Sequence, residues 1–162
     1  MSVIDSRVSS FVRSEVFSHT FRDGMALVER TANYLDGEGR EASRQLARHA
    51  ALAYANASMR LTTHLMQSAS WLLALRAVRD GDMAVEEAAD PKYRLAPRER
   101  RAPSMVEVPL PNDLADIINA AEQLYDRIRR LDGELFNAGA PGLDGPDIAS
   151  QLRSLREAFG DA

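Results

Sequence analysis

HAALAYANASMRLTTHLMQSASWLLAL, residues 49–75, carries one formal charge, Arg60, in 27 positions. A helix that faces water keeps a broad charged face opposite its apolar stripe, so a helix without one has to be covered by neighbouring helices or by another subunit. Asn56, Ser58, Thr62, Thr63, His64, Gln67, Ser68 and Ser70 interrupt the apolar residues. A bilayer span needs about 20 predominantly apolar residues and rejects a charge at its centre, so these polar side chains and Arg60 argue against membrane insertion. The stretch reads as the central helix of a bundle that a symmetry mate also covers.

Working outward, the helix is expected to run from about residue 41 to residue 79, where Asp80-Gly81 stops it. Leu46, Ala50, Ala53, Ala57, Leu61, Leu65, Ser68, Leu72 and Leu75 recur at spacings of three and four and form its packed stripe. A first helix is expected over 18–36 on Phe17, Phe21, Met25, Val28, Ala32 and Leu35, capped by Ser18 or Thr20. Gly24 lies inside it, at a cost of about 1 kcal/mol against alanine, which is explained equally by a closely approaching neighbour or by simple tolerance. A third helix over 112–136 carries Leu114, Ile117, Ala121, Leu124, Ile128, Leu131 and Leu135, with Asn112 or Asp113 as its cap. The fold class is all-α: an antiparallel three-helix bundle with one very long central helix, forming a homodimer.

All seven prolines fall at Pro91 or later, so the earlier residues are free to be helical while 91–111 and 139–146 are not. This divides the chain into a helical domain, 1–138, with a proline- and arginine-rich linker at 91–111, and a hinge with a short tail at 139–162. Val85 to Ala89 can form one extra turn. The linker carries Lys92, Arg94, Arg98, Arg100 and Arg101 against Glu99, a net charge of +4 over 91–101. It reads as a solvated loop or as a docking strip for an acidic surface. In the tail, Ile148, Leu152, Leu155 and Phe159 recur at helical spacing, so a short amphipathic segment on a flexible hinge is expected to dock on the bundle or on a partner.

Composition narrows the chemistry. Apolar residues make up 45% and charged residues 27% of 162, with a net charge of −4, which suits one globular domain and does not suit direct nucleic-acid binding. No cysteine is present, so disulfides and thiolate metal sites are excluded. With no basic-then-apolar leader, a cytoplasmic location is expected. The histidines are His19, His49 and His64, and residues 49–75 contain no carboxylate, so the Glu-x-x-His pairs of a di-metal bundle are missing. No zinc protease motif, phosphate loop or nucleophile elbow occurs, and no catalytic, cofactor or metal residue is expected. A phosphotransfer bundle would want a lysine near its histidine, and neither His49 nor His64 has one nearby. The residues expected to contact a partner or set the dimer register are Ser58, Arg60, Thr62, Thr63, His64 and Gln67, with Met66, Trp71 and Leu72 as anchors.

Ala51-Leu52-Ala53-Tyr54, followed by Ser58-Met59-Arg60-Leu61-Thr62-Thr63-His64-Leu65-Met66-Gln67-Ser68-Ala69-Ser70-Trp71-Leu72-Leu73, resembles the regulator of CtrA degradation family of alphaproteobacteria. Met25-Ala26-Leu27-Val28, Tyr34-Leu35-Asp36-Gly37 and Leu124-Tyr125-Asp126-Arg127-Ile128 extend the likeness over roughly 20–135. The resemblance implies a dimeric three-helix adaptor, not an enzyme, that delivers cell-cycle transcriptional regulators to the ClpXP protease for regulated proteolysis. A receiver-domain primer protein, and in some cases a cyclic-di-GMP-binding adaptor, would be further partners, and recruitment to a cell pole is expected. The other reading is a scaffolding bundle that binds a receiver-domain protein with no role in proteolysis.

Overall fold

Ser2 opens the chain with a reciprocal cap. Its hydroxyl accepts from the Asp5 N–H at 3.1 Å, and the Asp5 carboxylate accepts from the Ser2 N–H at 2.8 Å. A computed structural model describes residues 2–95 and 108–137. In it this cap starts α1 (Val3–Val12), followed by α2 (Glu15–Asp36), α3 (Glu38–Arg44), α4 (Arg48–Asp80), α5 (Val85–Ala88) and α6 (Asn112–Phe136). No strand occurs among the described residues.

Ser14 serves two helices at once. Its hydroxyl donates to the Phe11 carbonyl at 2.6 Å, and it accepts from the Phe17 N–H at 3.2 Å, so α1 ends and α2 begins around one side chain. The expected caps Ser18 and Thr20 lie inside α2 instead. Thr20 is buried and donates to the Val16 carbonyl at 2.8 Å. The helix α1 was not anticipated from apolar spacing; it buries Val8 and Val12 and brings Phe11 within 6.3 Å of Trp71 and 5.7 Å of Phe17.

The expected helix over 41–79 is broken into α3 and α4 by a turn at 45–47. The Ser43 hydroxyl donates back to the Arg40 carbonyl at 2.8 Å, competing with helix continuation, and Leu46 turns inward to pack against the core. Close packing of the rings fixes this corner. A Cβ on Gly39 would lie 2.6 Å from both Tyr34 Cε1 and the Tyr54 hydroxyl, so only glycine fits between them. Burial pushes both phenols above their ordinary pKa. The far end of α4 stops as expected: Gly81 adopts φ 84°, a left-handed cap, and its N–H bonds back to Val78 at 3.2 Å.

The long helices pack through aligned levels. The His64 ring lies 5.0 Å from the Tyr125 ring, and Trp71 Nε1 donates to Asp132 at 2.9 Å. Both pairs are 61 positions apart, so α4 and α6 run parallel in one register. The helix α2 runs against both: Arg76 sits 5.1 Å over the Phe21 ring, while Tyr34 meets Tyr54 at the opposite end. The expectation of an antiparallel three-helix bundle holds for α2 against α4 and is corrected for α4 and α6. The segment after α5 still lies at the Asp132 end, through Arg94, whereas α6 begins level with the start of α4. The helix α6 has the expected bounds, but Pro111 precedes it and neither Asn112 nor Asp113 supplies a side-chain cap.

Gly24 marks the closest approach in the core. A Cβ there would fall 2.5 Å from Leu72 Cδ1 and 3.6 Å from Leu124 Cδ2, where α2, α4 and α6 meet. Leu72 has no exposed surface and cannot swing away into solvent. Gly24→Val is therefore expected to destabilise the fold by about 1–3 kcal/mol through overpacking, read as a lower urea midpoint; an unchanged midpoint would contradict this packing.

Candidate interaction surfaces

The inner face of α4 is spent on the core, where Tyr54, Leu61, Leu65, Ser68, Trp71, Leu72 and Leu75 are buried. A second apolar row lies about 200° round the helix from that face, because two positions apart on a helix point nearly opposite ways. Leu52, Met59, Met66 and Leu73 recur every seven residues with 60%, 69%, 65% and 50% of their surface exposed. They account for four of the six large apolar side chains that stand in solvent among the described residues. Single exposed apolar residues are ordinary; a heptad-spaced row along one helix is a candidate interaction face.

The residues beside that row are small or uncharged. Ala55, Asn56, Thr62, Thr63 and Ser70 are exposed. The Thr62 and Thr63 hydroxyls donate to the Ser58 and Met59 carbonyls at 2.9 and 3.0 Å, so each is satisfied within the helix and asks nothing of a partner. No carboxylate occurs between residues 49 and 75, and Arg60 alone is charged there. Covering this face therefore costs little desolvation of charge.

The expected contact residues divide between two environments. Arg60, Thr62, Thr63 and Met66 are exposed, while Ser58, His64 and Gln67 are half-buried and His64 lies against Tyr125. Trp71 and Leu72, at 2% and 0% exposure, are anchors of the chain's own core, unavailable to a partner. Leu52 and Met59 were missed, as was the single row they form with Met66 and Leu73. The signal that could have found them is the seven-residue recurrence, which was masked by a stronger apolar pattern on the other side of the same helix.

The basic linker also divides. Lys92 is exposed, with its ammonium 4.9 Å over the Tyr93 ring. Arg94 does not belong to a solvated strip: its Nε donates to Asp132 at 2.7 Å, its terminal nitrogen donates to the Asn137 side chain at 2.9 Å, and its guanidinium lies 4.8 Å over the Phe136 ring. Since Trp71 Nε1 donates to the same Asp132 oxygen, one carboxylate fastens α4, α6 and the segment after α5 together. Arg7 closes this end of the bundle by donating to the Glu134 carbonyl at 2.9 Å. Arg98, Arg100 and Arg101, and the tail residues Ile148, Leu152, Leu155 and Phe159, lie outside the described residues.

Among the described residues no three His, Asp or Glu side chains gather as a metal site, and no helix is long and apolar enough to cross a membrane. The Glu15–His19 pair is solvent-exposed at 3.9 Å.

Comparison with known proteins gives two findings. A family model described as protein of unknown function (DUF1465) matches residues 8–159. Among solved structures, RcdA from Caulobacter crescentus CB15 is 47% identical, with a TM-score of 0.68, over 79% of this chain and 97% of that one. No curated protein matches.

Asp132→Ala removes the acceptor shared by Trp71 and Arg94 and leaves both donors at the end of the core. The expected loss is about 2–4 kcal/mol, accompanied by a red shift in the emission of Trp71, the chain's one tryptophan. Unchanged emission together with unchanged melting would show that the junction contributes nothing.

Proposed function

The chain belongs to the DUF1465 family, which is the RcdA family, and we propose that it works as a non-enzymatic, dimeric adaptor in the cytoplasm. In this reading it binds regulatory proteins and delivers them to the ClpXP protease, alongside a receiver-domain primer protein. The observation that carries the reading is the 47% identity to RcdA, spread over 97% of that chain. An uncovered apolar row on α4 supports a partner-binding role, since it offers a binding face and no reacting group.

Delivery needs no bond chemistry from the adaptor. Tethering cargo beside the protease raises its local concentration, and a dimer doubles the number of attachment points. In the proposed division of labour, the outer face of α4 takes the second copy. Lys92, the remaining linker bases and the tail are left for cargo, protease or a cyclic-di-GMP-binding adaptor. Arg94 is excluded from that set by its bond to Asp132.

A reconstituted degradation time course tests the proposal, with ClpXP, primer protein and candidate cell-cycle regulators, with and without the full chain. The expected result is faster loss of at least one regulator at an unchanged rate of ATP hydrolysis. The double variant Met59→Glu, Met66→Glu, whose altered side chains are solvent-exposed in the single chain, should retain helicity and lose most of that acceleration. Unchanged lifetimes of every regulator in the presence of the folded chain would reject delivery.

A further inference from the structure

The last turn of α6 is held from outside the helix. It carries no base of its own, although the carbonyl oxygens at a helix C-terminus lack helical partners and gather partial negative charge. Two arginines from other segments answer that charge. Arg7 donates to the Glu134 carbonyl at 2.9 Å, and Arg94 engages the Asp132 carboxylate, the Asn137 side chain and the Phe136 ring together. The planar Arg94 fork thus spans the turn from Asp132 to the C-cap residue, Asn137.

Arg94 stands on a short turn that is closed on itself. The Tyr93 N–H donates to the Asp90 carbonyl at 3.0 Å, the Lys92 N–H to the Asp90 carboxylate at 3.0 Å, and the Arg94 N–H to the Pro91 carbonyl at 3.2 Å. These bonds are internal to residues 90–94, so lifting the turn away from α6 breaks none of them. Among the described residues, Arg94 makes every hydrogen bond that joins this turn to α6. Leu95 adds one partly buried apolar contact with the core. The interior of the bundle does not rely on the turn, since Leu61, Leu65, Leu72, Ile117, Leu124 and Ile128 are buried at other levels of α4 and α6. A small piece fastened to a packed body through one side chain opens at lower free energy than the body unfolds.

We propose that Arg94 is a two-state latch: the turn 90–94 and the last turn of α6, 132–137, open and close together around a core that stays folded. Withdrawing one guanidinium frees the turn and, in the same step, takes a donor from Asp132 and from Asn137. The residues that follow Leu95 include the remaining linker bases, and those that follow Asn137 include the tail, so both segments start at the latch. Coupling between two sites is reciprocal: whatever draws the linker away loosens the start of the tail, and whatever draws the tail away loosens the linker. The latch belongs to the single chain and is independent of delivery to a protease.

Hydrogen exchange of the full chain, read by mass spectrometry, tests the latch in the native protein and in Arg94→Ala. Loss of a charge-assisted bond should speed exchange about tenfold or more in both 92–95 and 134–137, with 61–75 and 117–128 at native rates. Arg94→Lys keeps the charge without the fork and should loosen the same two segments; native rates in that variant would overturn the role given to the fork. Faster exchange in 92–95 with 134–137 unchanged would overturn the coupling, because Arg7 and the buried Leu135 would then hold the end of α6 by themselves. Native rates in both segments of Arg94→Ala would overturn the latch. Faster exchange extending through 61–75 would make Arg94 part of the cooperative core and overturn it as well.

Discussion

In the helix α4 of 33 residues, 49–75 carries a single charge, so the helix depends on burial of its apolar side, and that constraint organises this molecule. The inner side of α4 is covered by α2 and α6. Gly24 lets the three approach to the point where a single added carbon would clash, and Asp132 locks the far end by accepting from Trp71 and Arg94 together. Constant spacing between the His64–Tyr125 and Trp71–Asp132 levels holds α4 and α6 in one register. The outer side of α4 has no such cover within the chain.

Much of this was legible in the amino-acid order. The period of three and four set α6 to its observed bounds and picked out Leu61, Leu65, Ser68, Leu72 and Leu75 among the eight buried residues of α4, and of the two readings open for Gly24 the structure shows the close contact. Other features depend on tertiary partners that local pattern does not encode. The chain turns between α3 and α4 because Leu46 and the Tyr34–Gly39–Tyr54 corner gain from packing, and this overrides the helical propensity of 41–47. The helix α1 was hidden because its ten residues bury only two side chains, Val8 and Val12. The parallel arrangement of α4 and α6 was equally hidden, since helix periodicity carries no sign of direction and a long connection permits either sense.

The candidate surface was half legible. Absence of charge in 49–75 implied a covered helix, and the polar block was placed on the same helix as the face. Trp71 and Leu72 were drawn into it because a large apolar residue on a low-charge helix looks alike whether it meets its own core or another chain. Their burial leaves Leu52, Met59, Met66 and Leu73 as the exposed apolar row of α4. Arg94 shows the opposite error, an arginine in a basic run that looks solvated yet holds a buried carboxylate. Both outcomes leave a body with a well-fixed interior, one uncovered apolar row and no metal-binding cluster among its described residues.

Whether α4 is covered from outside is most directly tested by the mass of the native chain in solution. Sedimentation equilibrium at micromolar concentration should return twice the chain mass of 17.9 kDa. Substituting Met59→Glu and Met66→Glu should lower it to the single-chain value with the helical signal retained. A native chain that sediments as a monomer throughout this range would contradict the account, because the row on α4 would then stand uncovered in water with no partner of its own kind.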